Sequence, residues 1–411
     1  MNTQLELLRF AWRNVLRNRR RSLATIVIAA LGAAAVMISG GFALYTYDAL
    51  REGAAREFGH FTVAHRDYFQ RDEETPLQYG LAGYPALIAA LEQDARVTRV
   101  LPRLNFSGLI SNGDKSMVFM GMGADARAEG EARGVFLKLT DGALFGGMDA
   151  GAPRVLLGSA LAKSLNARPG SPLTLLTTTV EGGMNAVDVE VSGIVSTGWP
   201  EVDKRLVYAP LAAVQKLLLT DKVSTLAVYL ESTDQTPAAL ADWRAREPKP
   251  EVREFRPWWE QAFYYQSVRA LYNRIFGLLG IIIAVLVFFS VANTLSMAVV
   301  ERTREIGTLR ALGALPGEIV AGFAREGALI GTLGALIGMA MAGLTSAILL
   351  GLDVQMPPPP GRSEGYPLKV YAEPAIYAVA AGVIIILCIV AAWSVSRKAA
   401  QRPIVEALGH V

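Results

Sequence analysis

Few side chains in this chain have a type and spacing suited to covalent chemistry, and each has a simpler role. Ser159 follows Gly158 as an acyl-transfer nucleophile would, but the run Leu157-Gly158-Ser159-Ala160 lacks the second glycine of a nucleophile elbow. It reads as a helix cap. Asp188 and Glu190 lie two apart on one face of a predicted strand, with no basic or metal-binding partner implied. His60, His65 and His410 make no ligand cluster; His60 and His65, five apart on a predicted strand, read as surface residues. The single cysteine, Cys388, falls in an apolar run and cannot staple a domain. No Gly-x-x-x-x-Gly-Lys-Ser/Thr phosphate loop occurs. The reading is therefore of no catalytic, cofactor-binding or metal residues.

The pattern that does carry function is a run of alternating charge, Glu301, Arg302, Arg304, Glu305 and Arg310, threaded by Ile306, Leu309 and Leu312 at spacings of three. These spacings predict a helix that continues the preceding apolar stretch, with an apolar stripe edged by charge. Glu301 and Arg304, and Arg302 and Glu305, are placed for local pairing, each pair contributing only ~0.2–0.5 kcal/mol. Gly313 and Pro316 end this helix and start the next. A solvated loop would not need the stripe; a docking surface would.

Stepping outward, the run lies between apolar stretches long enough to cross a bilayer. There are four, 23–45, 275–300, 327–352 and 374–396, each longer than the ~20 helical residues that span ~30 Å of hydrocarbon. Before the first stand Arg9, Arg13, Arg17, Arg19, Arg20 and Arg21 against Glu6; after the fourth stand Arg397, Lys398 and Arg402 against Glu406. The positive-inside rule then places both termini and the 301–326 loop in the cytoplasm, and 46–274 and the 353–373 loop outside. Leu5, Leu8, Trp12, Val15 and Leu16 recur among the first arginines, predicting an amphipathic elbow helix over 1–22 on the inner leaflet. The tail is 397–411.

The large outer segment is mixed in composition. From 47 to 269 it holds 24 basic and 28 acidic residues, a net of −4, which suits a folded aqueous module and excludes a nucleic-acid surface. Short strand and helix signals alternate through it, giving an α+β domain on a helical stalk, large enough for one or two cores. Trp258, Trp259, Phe263, Tyr264 and Tyr265 cluster just before the second span. They read as a headgroup-level aromatic belt, with a substrate-facing surface as the alternative. Within the span, Phe276, Leu279, Ile283 and Val287 recur on one helical face and are candidate cavity residues, against ordinary packing or lipid contact. Met356 to Gly361, with four consecutive prolines, predicts a stiff turn between the last two spans.

The stretch from Glu301 to Ile319, ERTREIGTLRALGALPGEI, closely resembles the signature of the FtsX-like permeases, the MacB or lipoprotein-releasing type of ABC transporter. Weaker likeness extends through 154–165, 169–176 and 187–195 and into the tail 396–411, so the resemblance covers nearly the whole chain. It implies a polytopic α-helical membrane protein of four spans with a large α+β extracytoplasmic domain divided into porter and sabre-like subdomains. It also implies a bacterial inner-membrane location and work as a dimer with a second permease copy or paralogue. An ABC ATPase dimer would dock on Glu301, Arg302, Arg304, Glu305, Ile306, Leu309, Arg310 and Gly313, and ATP and Mg would be cofactors of that partner, none being held by this chain.

Two functions follow from the resemblance. In one, the chain is a permease that couples ATP hydrolysis to movement of the outer domain and extracts a lipid-linked or hydrophobic substrate such as a lipoprotein. The spans hold no charge, and polar residues such as Ser290, Asn293 and Thr294 are the candidates for anything within the membrane, so a hydrophilic path is poorly supported. In the other, the chain signals to a periplasmic partner without transport. A periplasmic adaptor, a lipoprotein and membrane lipids are the further partners implied.

Overall fold

The computed structural model describes residues 19–70, 77–145, 153–248, 251–352, 354–357, 365–401 and 403. Residues 1–18 of the predicted elbow, Pro358, Pro359 and Pro360, most of the tail and His410 lie outside these residues. Two compact units divide the chain, one gathering the described parts of 1–47, 268–355 and 367–411, the other those of 48–267 and 356–366.

The first helix, α1 (Arg19–Phe58), is 40 residues long and begins as an apolar span. Its last turns lie in the extramembrane unit, as the predicted stalk. There the chain continues as β1 (Phe61–His65), α2 (Tyr84–Leu91), β2 (Val97–Ser111), β3 (Ser116–Gly123), α3 (Ala126–Arg133) and β4 (Lys138–Gly142). Then come β5 (Arg154–Gly158), α4 (Ser159–Ser164), β6 (Pro172–Thr178), β7 (Met184–Ser196), α5 (Pro200–Asp203), β8 (Leu206–Ala209) and α6 (Leu211–Leu218). The unit closes with β9 (Thr225–Leu230), α7 (Thr236–Arg246), β10 (Arg253–Pro257) and α8 (Trp258–Gln261).

One sheet runs through this unit in the order β10-β1-β9-β2-β3-β8-β5-β7-β4, with β6 also paired to β2 and β7. The 15-residue β2 joins two halves: Val97–Arg103 pairs with β9, and Leu104–Ser111 with β3. Each half has its own core. Phe61, Val63, Val228, Phe255 and Leu91 fill one, under α2 and α7; Leu104, Phe119, Leu157, Leu161 and Val191 fill the other, under α4 and α6. Two cores match what the segment's length allows.

The end of α1 is fastened inside this unit. Gly59 turns the chain at φ +86, where a Cβ would lie 3.0 Å from the backbone nitrogen of Val228. The last helical carbonyls take donors from the sheet and from α3. Tyr229 donates to the Arg56 carbonyl at 3.0 Å, Arg103 to the Glu57 carbonyl at 2.9 Å and Arg133 to the same oxygen at 3.3 Å. Glu129 neutralises the arginines, accepting from Arg103 at 2.6 and 2.8 Å and from Arg133 at 3.2 Å. All three charged groups are buried. Burial alone would raise the Glu129 carboxyl, but Arg103 and Arg133 beside it hold it below its ordinary value.

His60, expected at the surface, is buried beside this joint. Its Nδ1 accepts from the Leu230 amide at 3.0 Å, and its Nε2 lies 3.2 Å from Thr233 Oγ1, which donates to Glu52 at 2.9 Å. A ring with one nitrogen accepting from an amide is neutral, and burial pushes its pKa down to about 4. His65 is half-buried and stacks on Tyr79.

The membrane unit is built from the first part of α1 with α9 (Phe263–Glu301), α10 (Thr303–Ala311), α11 (Pro316–Leu352) and α12 (Pro374–Ala400). A short ladder, β11 (Gln355–Met356) with β12 (Tyr366–Pro367), stands between α11 and α12. Four of these helices, α1, α9, α11 and α12, are long and apolar enough to cross a membrane. α11 packs against α12 on one side and α1 on the other. Gly327 and Gly331 face α12 and Gly334 and Gly338 face α1, at four-residue spacing. A Cβ on Gly338 would stand 2.6 Å from that of Ala33, and one on Gly327 2.6 Å from the Cys388 carbonyl oxygen. Close backbone approach of this kind substitutes for hydrophobic driving force between helices in lipid. α9 is less enclosed: Val287, Val291 and Leu295 pack inward, while Leu278, Ile282, Leu286 and Phe289 are exposed and apolar.

Two tests follow from this packing. Gly338→Leu should destabilise the detergent-solubilised chain by roughly 1–3 kcal/mol through forced separation of α1 and α11. Gly343→Leu, where a Cβ meets nothing within 4 Å, should leave the thermal midpoint unchanged. For His60, the folded pKa of about 4 lies below the ordinary 6.5, so the folded state binds fewer protons. Its stabilising contribution is complete above pH 6.5 and is lost as pH falls toward 4. Unfolding free energy should therefore drop by about 2–3 kcal/mol more between pH 6.5 and 4.5 in the unsubstituted chain than in His60→Gln. Equal pH slopes would contradict the assignment.

Candidate functional site

The charged run folds as a helix–turn between α9 and α11, and it does not continue α9 as the periodicity predicted. α9 stops at Glu301, and Arg302 adopts φ −101°, ψ 10°, outside the helical region. Its amide is shared between the carbonyls of Ala298 and Val299 at 3.2 Å each, and α10 begins at Thr303. Gly313 at φ +100 ends the turn after α10. Glu318 accepts from the Leu315 amide at 3.0 Å, which satisfies a donor at the start of α11.

Burial sorts the residues of the run into two sets. Arg302 turns inward and donates to Glu326 of α11 at 3.2 Å, both side chains being less than a tenth exposed. Ile306 is also buried, in a cluster with Val299, Ile319, Phe323 and Ala400. Arg310 donates to the Ala400 carbonyl at the end of α12 at 2.9 Å. Glu301 pairs with Arg21 of α1. The outward set is Arg304, Glu305, Leu309 and Gly313, to which the structure adds Leu312 (81% exposed) and Leu315 (65%). The predicted stripe is thus split, Ile306 anchoring the helix from within and Leu309 facing out. Leu315 was not singled out from the sequence, because it lies beyond the glycine that ends the helical period.

The aromatic cluster is divided in the same way. Trp258 and Tyr265 are buried against Ala54 and Ala55 of the stalk, their rings edge to face at 4.9 Å. Trp259 and Tyr264 are half-buried and Phe263 is exposed. Trp199, missed by the sequence reading, meets Tyr264 edge to face at 6.0 Å.

On α9, Phe276 meets Phe42 edge to face at 6.2 Å. Leu279 is exposed, and Val287 is buried among the helices. Ile283 alone of the four candidates lines an apolar groove of about 590 Å³ between α1, α9 and α12, with Val36, Gly280, Ile376 and Val383. Thr294 donates to the Ser290 carbonyl of its own helix at 3.0 Å, so its hydroxyl is satisfied locally.

The candidate chemical groups have structural partners. Ser159, expected as a helix cap, donates to Asp203 at 3.1 Å. The same carboxylate accepts from Ser196 and from the Thr197 amide and hydroxyl, so Asp203 is the hub of a turn. Asp188 accepts from Thr174 across the β6–β7 pair at 2.7 Å. Among the described residues, no group of three His, Cys, Asp or Glu side chains is placed to hold a metal ion.

Comparison with known proteins agrees with this division of the chain. Residues 22–246 match the MacB-like periplasmic core domain, and 277–404 match the FtsX-like permease C-terminal family. The lipoprotein-releasing system transmembrane protein LolC of Neisseria meningitidis is 31% identical over 209 residues, 49% of this chain and 48% of that protein. LolE of Haemophilus influenzae is 26% identical over 275 residues, 64% of each. The chain thus spans from about half to just under two thirds of the length of these curated relatives. The periplasmic region of MacB from Actinobacillus actinomycetemcomitans superposes with a TM-score of 0.36 at 15% identity, covering 51% of this chain and 93% of that one. With its core domain and its C-terminal helices both accounted for, the chain belongs to the FtsX-like permeases that carry a MacB-like periplasmic core domain.

Proposed function

We propose that this chain is the permease subunit of a MacB-type ABC transporter. A separate ATPase, holding ATP and Mg, docks on the outward face of α10 and the turn after it, and its cycle moves the extramembrane domain. The observation that carries the reading is the trio Leu309, Leu312 and Leu315, exposed on a loop otherwise edged by Arg304 and Glu305. Exposed apolar side chains ringed by charge suit a protein interface better than water. The arginine excess at both chain ends supports a cytoplasmic position for this face. A second copy or a paralogue completes the membrane part.

The cargo in this reading is a lipid-linked or hydrophobic molecule, a lipoprotein being the instance that the LolC and LolE relatives suggest. Two features of the chain favour it. The spans carry no charge, and Thr294 is satisfied by its own helix, which leaves little for a polar path. The groove beside Ile283 is apolar throughout.

Docking is tested by Leu309→Asp with Leu312→Asp. The double variant should lose co-purification of the ATPase while keeping its thermal midpoint, because both side chains face solvent in the isolated chain. Ile306→Asp should instead destabilise the chain, since it buries a carboxylate in the cluster around Phe323. Undiminished association in the double variant would contradict the docking face. For cargo, a photocross-linker at Ile283 should capture a lipid-linked molecule in cells that express the complex. Capture of proteins alone would point to signalling without transport.

A further inference from the structure

We infer that the groove between α1, α9 and α12 holds one phospholipid of the bilayer, a phosphatidylethanolamine, with an acyl chain against Gly277 and Gly280 and its two headgroup charges at Arg274 and Glu373. The inference rests on the reading of the long apolar helices as membrane spans, and it is independent of the ATPase and of the cargo.

The groove has the depth of one leaflet. Its lining on α12 runs from Ala375 to Leu387, about 18 Å of helix, against ~15 Å for half of a ~30 Å hydrocarbon core. On the α9 side the wall is bare: a Cβ built on Gly277 or on Gly280 meets nothing within 4 Å. Open apolar space beside hydrocarbon does not stay empty, because its lining would forfeit dispersion contacts. An acyl chain fills it, yet gains little over its place in the bilayer, since lipid tails are as apolar as the lining. Selectivity must therefore come from the headgroup end.

That end carries one charge of each sign. Arg274 stands three residues before Gly277 and seven before Ile281, so it lies on the groove-lining face of α9, about 4.5 Å nearer the start of the helix. Glu373 precedes Pro374 and the lining residues Ala375 and Ile376 at the start of α12. Alternation of the four spans starts both helices at the extramembrane end of the bundle. Both side chains are exposed, and among the described residues neither has a hydrogen-bond or ion-pair partner.

A phosphate suits the arginine, whose long stem carries the guanidinium to headgroup level. An ammonium that bears N–H groups suits the glutamate. Phosphatidylglycerol would offer the phosphate and leave Glu373 without a cation. Phosphatidylcholine would offer a cation with no N–H to donate. The zwitterion with a primary ammonium satisfies both side chains.

The test uses the full chain in phosphatidylcholine nanodiscs, with a trace of phosphatidylethanolamine or of phosphatidylglycerol that carries a photoreactive acyl chain. Labelled peptides are then mapped. Phosphatidylethanolamine should label 280–284 and 376–387 at least about threefold more than phosphatidylglycerol, a factor within the reach of exposed charge pairs. Arg274→Gln with Glu373→Gln should bring the two lipids to equal labelling. Gly277→Leu with Gly280→Leu fills open space, and should remove most of the labelling from both segments while the thermal midpoint and labelling around the exposed Leu336 of α11 are kept. Equal labelling by the two lipids in the unsubstituted chain would overturn the inference. So would a preference that survives loss of both charges, or undiminished labelling in the glycine variant, either of which reduces the occupant to ordinary surrounding lipid. With neither ATPase nor cargo present, those results would leave the docking reading standing.

Discussion

An arginine side chain cannot shed its proton, so wherever the chain buries a guanidinium it must bring a carboxylate to it. Among the described residues it does so at two places. In the extramembrane unit Glu129 meets Arg103 and Arg133, and the donors left over close the last carbonyls of α1. In the membrane unit Glu326 meets Arg302 where α9 gives way to α10. Removal of one partner from a buried pair of this kind costs about 3–5 kcal/mol. That penalty fixes which element each arginine must sit beside. The end of the stalk and the start of the coupling turn are both held by this constraint.

The membrane unit is built of long apolar helices, and lipid supplies no hydrophobic drive to pack them. Small residues take over that role. The glycines of α11 bring its backbone against Ala29 and Ala33 on one side and Cys388 and Ala392 on the other. α9 keeps a broad apolar face outward, and the Thr294 hydroxyl donates to the Ser290 carbonyl of the same helix.

What the sequence made legible was what local pattern encodes. Span length, the mixed outer domain, the glycine–proline turn after α10 and the family resemblance all come from runs of neighbouring residues. Arg302 was misread as part of an exposed face because its partner lies 24 positions away, and helical spacing suggested Glu305. Ile306 and Leu309 looked like one stripe, yet a helix of nine residues can bury one turn and expose the next. His60 looked like a surface residue because its burial depends on Leu230 and Thr233, far along the chain. Trp258 and Tyr265 fit the composition of a membrane belt, but Ala54 and Ala55 offer them a closer seat. In each case a tertiary partner decided the outcome, and single-residue propensity has no access to it.

The central claim is that the outward face of the coupling turn, and not its buried side, receives the ATPase. Site-specific photocross-linking in intact cells tests it most directly, with the photoreactive residue at position 312 in one variant and at 306 in another. The account predicts a cross-linked product that contains the ATPase from 312, and none from 306, whose side chain is enclosed by Ile319, Phe323 and Ala400. No ATPase product from 312, or equal capture from both positions, would contradict it.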